Sequence, residues 1–384
     1  MKPNELKDGD TIEIKMPFDR HVHFRDGERL VSVVPYTANH CTGAIVMPNI
    51  GVKGGKSHIY TSQDAREYHD QIMRALPDDS PFLPAMTLYL TDSMQPREIV
   101  RAYEDGYVFG VKMYPANATT NSAEGITDWR KRLECFRAMA EAGIPLLVHG
   151  EKVNNSRGLV YWEGDFYEEF LPWIAKNVPT LQLSLEHITT TAVMQMLIVC
   201  EAGDVKNPPV GTITPQHVMY TMNDLLASGC VPDLYCKPIL KLPEQIEEFS
   251  RKLVFLRLAR IAMGTDSAPH LKDDKYCECG CAGCFSAPHM VSMYANQLVG
   301  ASLVDPDVLT QFNAFMATDN LDIYPGLEAV LRKRNAPERK LTLVWRDKVP
   351  KPHPVEVWEN HTTLKHIIPM PDKFEGKPGW VVEQ

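Results

Sequence analysis

The sequence predicts an α/β fold, a (β/α)8 barrel with a C-terminal extension packed on it, and two observations carry that expectation. The first is a series of short apolar runs that end in polar residues: "TIEIKMPFDRHVH", "GAIVMPN", "FLPAMTLYLT", "YVFGVKMYP", "IPLLVHGE", "LQLSLEHIT", "VGTITPQH" and "LARIAMGTDSAPH". Near-continuous apolar runs suit parallel strands buried on both faces, and the stretches between them could be helical. The second is their number, since eight strand–helix units close a barrel whose active residues gather on the C-terminal rim.

Taken in order, "TIEIKMPFDRHVH" is the first strand and ends in His21 and His23. Side chains two apart in an extended strand share a face, so these imidazoles can grip one ion; alone, the pair equally suits two polar residues at a loop entrance. Arg25 follows two positions later and would share that face if the strand continued. Its fork matches a carboxylate, with an ion pair to Asp26 as the structural alternative. Lys112 lies inside the apolar "VFGVKMYP". A buried ammonium tends to lose its proton, so Lys112 needs an anionic partner or a covalent change unless it snorkels to the rim. "YPANATTNSAEG", residues 114–125, is almost wholly small or polar, which fits a mobile loop or an ordinary connection.

His149, His187 and Asp266 each end a later run, where a barrel would bring them above one axis. Nitrogen and carboxylate ligands of this kind suit zinc, and an open coordination position suits catalysis. Cys277, Cys279, Cys281 and Cys284 crowd into "CECGCAGC". They could form a zinc knuckle but lack two separated C-x-x-C pairs; a loop over the site is the other reading. Beyond residue 320 the proline-rich "VPKPHPVEVWENHTTLKHIIPMPDKFEGKPGW" reads as an irregular extension. Its Trp358, Trp380, Ile367 and Ile368 favour docking over a floppy tail. Residues 1–384 are therefore expected to form one domain, with 320–384 as the extension.

Composition narrows the partners. The 384 residues are 44% hydrophobic and carry a formal charge of -9 without a basic stripe, which argues against a nucleic-acid or anionic-membrane surface. The polar start "MKPNELKDGD" has no apolar signal region, and no stretch reaches the length of a membrane span, so a cytoplasmic protein is expected. Nine cysteines, an odd number, suit reduced thiols better than a disulfide framework.

"HVHFRDG", "MPN", "VKMYPANATTNSAEG", "LLVHGE", "LEHITT", "TITPQH", "LYCKPILK", "GTDSAPH" and "CGCAGCF" occur in this order and resemble the free-standing, single-function dihydroorotases of the amidohydrolase superfamily. The resemblance spans about residues 12 to 290 and weakens after 320. It implies a distorted TIM barrel with two Zn2+ ions bridged by a hydroxide and by Lys112 as its N6-carboxylated form. Carried over, His21, His23 and Asp266 hold one metal and His149 and His187 the other. The family's reaction is the reversible closure of N-carbamoyl-L-aspartate to L-dihydroorotate in pyrimidine biosynthesis. Asp266 would shuttle the proton; Arg25, Asn49 and His270 would bind the substrate carboxylate; Thr119 and Thr120 would close the lid; and the Ala282 backbone would face the substrate. Carboxylation turns Lys112 from a cation that repels both metals into a bridging anion. Lys237 departs from the pattern, because bacterial-type sequences tend to carry leucine there. A homodimer is the expected assembly. An allantoinase or dihydropyrimidinase would use the same metals with another pocket, and a non-catalytic homologue would be expected to have lost ligands, of which none is missing.

Overall fold

The first apolar run is two strands rather than one. β1 (Thr11–Lys15) leaves the barrel to pair with the C-terminal region, and β2 (Phe18–Val22) enters it. Pro17 lies between them and has no N–H with which to carry a ladder onward. The structure, a computed structural model, describes residues 2–51, 58–203, 206–255, 260–278, 280–317, 321–334, 338–360 and 362–383.

The other runs form β3 (Gly43–Val46), β4 (Leu83–Tyr89), β5 (Val108–Met113), β6 (Leu146–Val148), β7 (Leu183–Leu185), β8 (Val210–Ile213) and β9 (Ile261–Met263). With β2 they make one parallel sheet in sequential order. Closure comes just past the strand ends, where Asp266 N–H donates to the His21 carbonyl at 2.8 Å and His23 N–H to the Ser267 carbonyl at 3.0 Å. The expected barrel is therefore present.

Alternation along each strand decides which side chains meet the lumen. Phe18, Ile45, Leu83, Ala85, Phe109, Leu147 and Val210 form one cluster, covered by Leu321, Ile323, Tyr324 and Leu327. The opposite-facing Val46, Met86, Leu146 and Leu183 belong to the larger core shared with the helices, as does Val111, which a register shift in β5 turns away from Phe109. The lumen is thus packed with side chains, mostly apolar in this cluster.

Helices stand outside the sheet and begin where sequence caps allow. α1 (Gly27–Ala38) starts after Asp26, whose carboxylate accepts from Gly27 N–H at 2.7 Å. α2 (Ser62–Arg74) opens with a Thr61–Asp64 capping box, and α3 (Pro96–Glu104) places Pro96 in its first turn, where the missing N–H costs nothing. α4 (Leu133–Ala142) stops at Gly143, which takes the left-handed φ of 69° that side chains with a Cβ resist.

The C-terminal region contains more regular structure than its prolines suggest. β10 (Lys340–Arg346) lies between β1 and β13 (Gly379–Val382) in an antiparallel sheet, and β11 (Val355–Glu359) pairs with β12 (Thr363–Ile367) as a hairpin. Register over these short strands comes from pairing with distant β1, which local composition does not reveal. Trp380 is fully buried, its Nε1 donating to the Gly300 carbonyl at 2.8 Å, and Ile367 is buried too. Ile368 is half-buried, whereas Trp358 is 49% exposed opposite Leu364 and does not dock. The expected boundary at residue 320 lies outside the described residues.

Candidate active site

Strand parity, with a register shift between Asp19 and Val22 in β2, carries the ligand residues onto the rim. Leu147 fills the lumen, so His149, two residues on, faces the same way. His21, His23, His149, His187 and Asp266 line one pocket with Arg25, Asn49, Tyr114, Thr119, Thr120, Lys237, Ala282 and Gly283. Ligand atoms of His21, His23 and Asp266 all lie within 4.8 Å of one another, and among the described residues this is the one group of three or more such side chains that could hold a metal. Asp266 Oδ1 is 3.1 Å from His23 Nε2 and 3.3 Å from His21 Nε2. The His149 and His187 rings meet edge to face at 4.5 Å between centroids, and the His21 and His187 rings are 5.2 Å apart. His187 and Asp266 adopt left-handed φ of 42° and 44°, turning their side chains inward where the strands end.

Burial shapes the electrostatics. Lys112 is fully buried beneath the histidines, and its Nζ has no hydrogen-bond partner. Desolvation pulls its ammonium down to about 8, against the pull of Glu186 and Asp266, so a neutral amine is accessible near physiological pH. Burial pushes His23 down to about 3, which keeps its ring neutral and able to ligate. Burial alone would raise Asp266, but His21 and His23 hold it well below the usual carboxylate range.

The carboxylate-binding candidates adjoin this cluster. β2 ends at Val22 and Arg25 has a φ of 63°, so the strand does not continue to Arg25; a tight turn brings its side chain to the pocket instead. Its Nε donates to the Pro269 carbonyl at 2.9 Å, and one terminal nitrogen lies 2.9 Å from His270 Nε2. The same nitrogen lies 3.1 Å from the Ala282 carbonyl; a guanidinium only donates and a carbonyl only accepts, so His270 Nε2 serves one of these two neighbours according to its tautomer. Asp26 caps α1, so the Arg25–Asp26 ion pair gives way to this arrangement. Asn49 Oδ1 accepts from the Tyr114 hydroxyl at 2.7 Å. Thr120 Oγ1 accepts from Ala282 N–H at 2.9 Å, joining the 114–125 loop to the cysteine loop across the pocket.

Two open readings are narrowed. Lys237 is half-buried on the pocket wall, with its ammonium over the Trp162 ring 5.4 Å from the centroid. Cys277 is exposed, Cys281 half-buried and Cys284 buried, and none joins a metal-holding group among the described residues; Cys279 lies outside them. Lys275, buried, donates to the carbonyls of Tyr235, Cys281 and Gly283 at 3.0, 3.0 and 2.7 Å, which fixes this loop against the pocket. Sequence reasoning missed Glu186, whose Oε2 is 2.5 Å from His21 Nδ1, and Glu151, whose Oε2 is 2.8 Å from His149 Nε2. A carboxylate beside a strand-end histidine in "LEH" and "HGE" was the available signal.

A closed parallel barrel with this cluster on its C-terminal rim defines a metal-dependent hydrolase of the amidohydrolase type. Solved structures agree: the chain matches a dihydroorotase from Campylobacter jejuni with a TM-score of 0.71 and 26% identity, covering 99% of this chain and 100% of that one. A Saccharomyces cerevisiae dihydroorotase in complex with 5-fluoroorotic acid gives a TM-score of 0.78 at 25% identity, over 97% and 98% of the two chains. An L-hydantoinase from Arthrobacter aurescens, at 15% identity with a TM-score of 0.69 over 97% and 83%, shares the fold. No family model matches the chain. A Picosynechococcus dihydroorotase is 41% identical over 310 residues, 81% of this chain and 86% of that protein, and a mitochondrial dihydroorotase of rice (Oryza sativa subsp. japonica) is 40% identical over 308 residues, 79% and 72%. The chain belongs to the dihydroorotase family of enzymes.

Proposed function

We propose that this chain catalyses the reversible cyclisation of N-carbamoyl-L-aspartate to L-dihydroorotate in pyrimidine synthesis, at a centre of two zinc ions bridged by carboxylated Lys112. The observation that carries the reading is one pocket holding both the His21–His23–Asp266 cluster and the Arg25 guanidinium. The donor set fits the metal: neutral imidazoles and a carboxylate suit zinc, and His187 Nδ1 and Lys112 Nζ are buried without partners. A neutral Lys112 amine can take up carbon dioxide, and the resulting carbamate supplies an anion where an ammonium would repel metal.

Once bound, the ions supply Lewis acidity toward the ring carbonyl and the hydroxide nucleophile of ring opening. His21, His23 and Asp266 would hold one ion and His149 and His187 the other, and Lys112 as its carbamate would supply an anion to both. Asp266 carries a proton between the nucleophile and the amide nitrogen, accepting it in opening and returning it in closure. Arg25 binds the substrate carboxylate with Asn49 and His270, Ala282 presents its backbone to the substrate, and Thr119 and Thr120 bring the loop down over it.

The reading extends to residues 1–384 as a single domain and to a cytoplasmic homodimer, which sedimentation of the purified protein tests. No described helix is long and apolar enough to cross a membrane. Assay with dihydroorotate beside allantoin, with metal analysis of the same sample, tests the activity. Turnover of allantoin, which has no carboxylate, with none of dihydroorotate would transfer the site to another cyclic amide.

A further inference from the structure

The tip of the 114–125 loop, which carries Thr119 and Thr120, is fastened to itself. Asn117 N–H donates to the Ser122 carbonyl at 3.0 Å and Thr119 N–H to Ser122 Oγ at 2.9 Å, and that hydroxyl donates back to the Thr119 carbonyl at 2.7 Å. Asn117 and Asn121 take left-handed φ of 62° and 58°, which asparagine tolerates better than most residues with a Cβ. A tip bonded in this way moves as a unit, so the contacts at its edge decide where it sits.

Consecutive residues of the tip reach two different loops of the rim. Thr120 Oγ1 takes the Ala282 N–H after β9, and the Asn121 carbonyl lies 2.9 Å from His58 Nε2 after β3. A carbonyl only accepts, so this nitrogen donates. His58 is itself a fixed post. It is buried and bridges antiparallel to Asn49, with Ile59 N–H donating to the Pro48 carbonyl at 3.0 Å and Tyr89 N–H to the Ile59 carbonyl at 2.8 Å. Its ring stands edge to face on Tyr89 at 4.2 Å between centroids. Its Nδ1 lies 3.0 Å from the Tyr60 hydroxyl, which donates to Glu124 Oε2 at 2.6 Å farther along the loop. Gly51 leaves a seat for the Asn121 side chain, because a Cβ there would fall 1.6 Å from Asn121 Nδ2.

We propose that His58 is a positioning residue for the lid: its Nε2–H holds the Asn121 carbonyl and, with Tyr60 on Glu124, keeps the tip docked where Thr119 and Thr120 face the pocket. Without that N–H the Asn121 carbonyl would meet an apolar edge, and an unsatisfied acceptor favours lifting the tip toward water. The inference rests on the reading of this loop as a lid closed through its two threonines.

Full-length zinc-loaded protein is assayed with dihydroorotate, and hydrogen exchange is resolved at the Ala282 amide, which loses its Thr120 partner when the tip lifts. His58→Phe keeps a flat ring against Tyr89 and removes the N–H. It should raise Ala282 exchange and lower kcat/KM at unchanged zinc content. Exchange follows the open fraction and kcat/KM the closed fraction, so the two changes multiplied give the shift in the closing equilibrium, roughly 2- to 10-fold for one net hydrogen bond. His58→Gln, whose amide can donate to the same carbonyl, should recover most of both. A product near one in His58→Phe, an equal change in His58→Gln, or activity lost in step with zinc overturns the assignment. If His58→Phe does not fold, Tyr60→Phe removes the hydroxyl between His58 and Glu124 and should move both readouts in the same direction; unchanged readouts there overturn it as well. Normal turnover after replacing Thr119 and Thr120 by Ala defeats the lid reading itself, whereas an impaired threonine variant beside an unaffected His58→Phe defeats this inference alone.

Discussion

The backbone N–H of Asp266 donates to the carbonyl of His21 at 2.8 Å, and the Asp266 carboxylate stands 3.3 Å from the same residue's Nε2. The bond that closes the barrel therefore also sets the spacing of two metal-ligand candidates from opposite ends of the sheet. A ligand cluster built on a closure bond has little freedom to spread, which is the preorganisation a metal site requires.

Metal content follows from that cluster and from Lys112. Protein purified without chelator should carry two zinc ions per chain, and Lys112→Ala should lose activity together with metal, because no other anion of the set can bridge. Elemental analysis beside the dihydroorotate assay measures both. Normal occupancy and turnover in Lys112→Ala would leave the lysine a structural role. Stripping zinc and restoring it with and without bicarbonate supplies a second check, since return of activity should be faster when carbon dioxide is available to the amine.

Replacing Arg25 by Met should raise KM far more than it lowers thermal stability. A charge-assisted contact to a carboxylate is worth about 1.5 to 3 kcal/mol, or about one to two orders of magnitude in binding. The lost bond to the Pro269 carbonyl gives a smaller folding penalty. An unchanged KM with a lower melting temperature would return Arg25 to a purely structural part.

Much of this was legible because each ligand candidate closes an apolar run, and strand parity is a local property of sequence. His21 and His23 could be paired from their spacing alone, and Lys112 stood out as a charge inside "VFGVKMYP". What escaped depends on distant partners. The break at Pro17 becomes a strand boundary only because β10 takes up β1, and Trp358 could not be told from Trp380 without knowing which one meets Gly300. Glu151 and Glu186 lie beside ligand candidates in sequence, yet their contact with imidazole appears only once the strands are assembled.

The loop contact gives a kinetic prediction. Thr120 Oγ1 joins Ala282 N–H, and Thr119 lies on the same pocket wall. Replacing both threonines by Ala should lower kcat while leaving zinc content near two per chain, since neither side chain belongs to the ligand set. Normal turnover in the double variant would remove the hydroxyls from the mechanism.

His217 predicts acid lability of the fold. Its ring bridges Thr214 Oγ1 at 2.6 Å and the Pro238 carbonyl at 2.7 Å, and burial pushes it from 6.5 down to about 4. The folded state then binds fewer protons than the unfolded chain between those values. Its contribution is fully present above 6.5 and is lost as pH falls toward 4, amounting to about 3 kcal/mol at most. In zinc-free protein, the difference in unfolding free energy between wild type and His217→Gln should therefore shrink from pH 7 to pH 4. A difference constant across that range would show that the ring does not titrate with folding.

Asp266 can be tested through the direction of the reaction. Near neutrality N-carbamoyl-L-aspartate is a dianion and L-dihydroorotate a monoanion, so closure consumes one proton and the equilibrium must move toward the ring as pH falls. Catalysis should show a matching asymmetry. Closure needs Asp266 protonated to give a proton to the departing water, and opening needs it ionised to accept one from the nucleophile. The kcat for closure should fall with rising pH while that for opening climbs, each reporting its own enzyme–substrate complex. The two kcat/KM profiles remain tied to the equilibrium constant, so their ratio must follow the proton stoichiometry in any variant, and kcat carries the diagnostic information. Asp266→Asn keeps an oxygen ligand but cannot carry the proton, so both rates should collapse even where zinc stays bound. Parallel kcat profiles in the two directions, or near-normal turnover by the Asn variant, would assign the proton to another group.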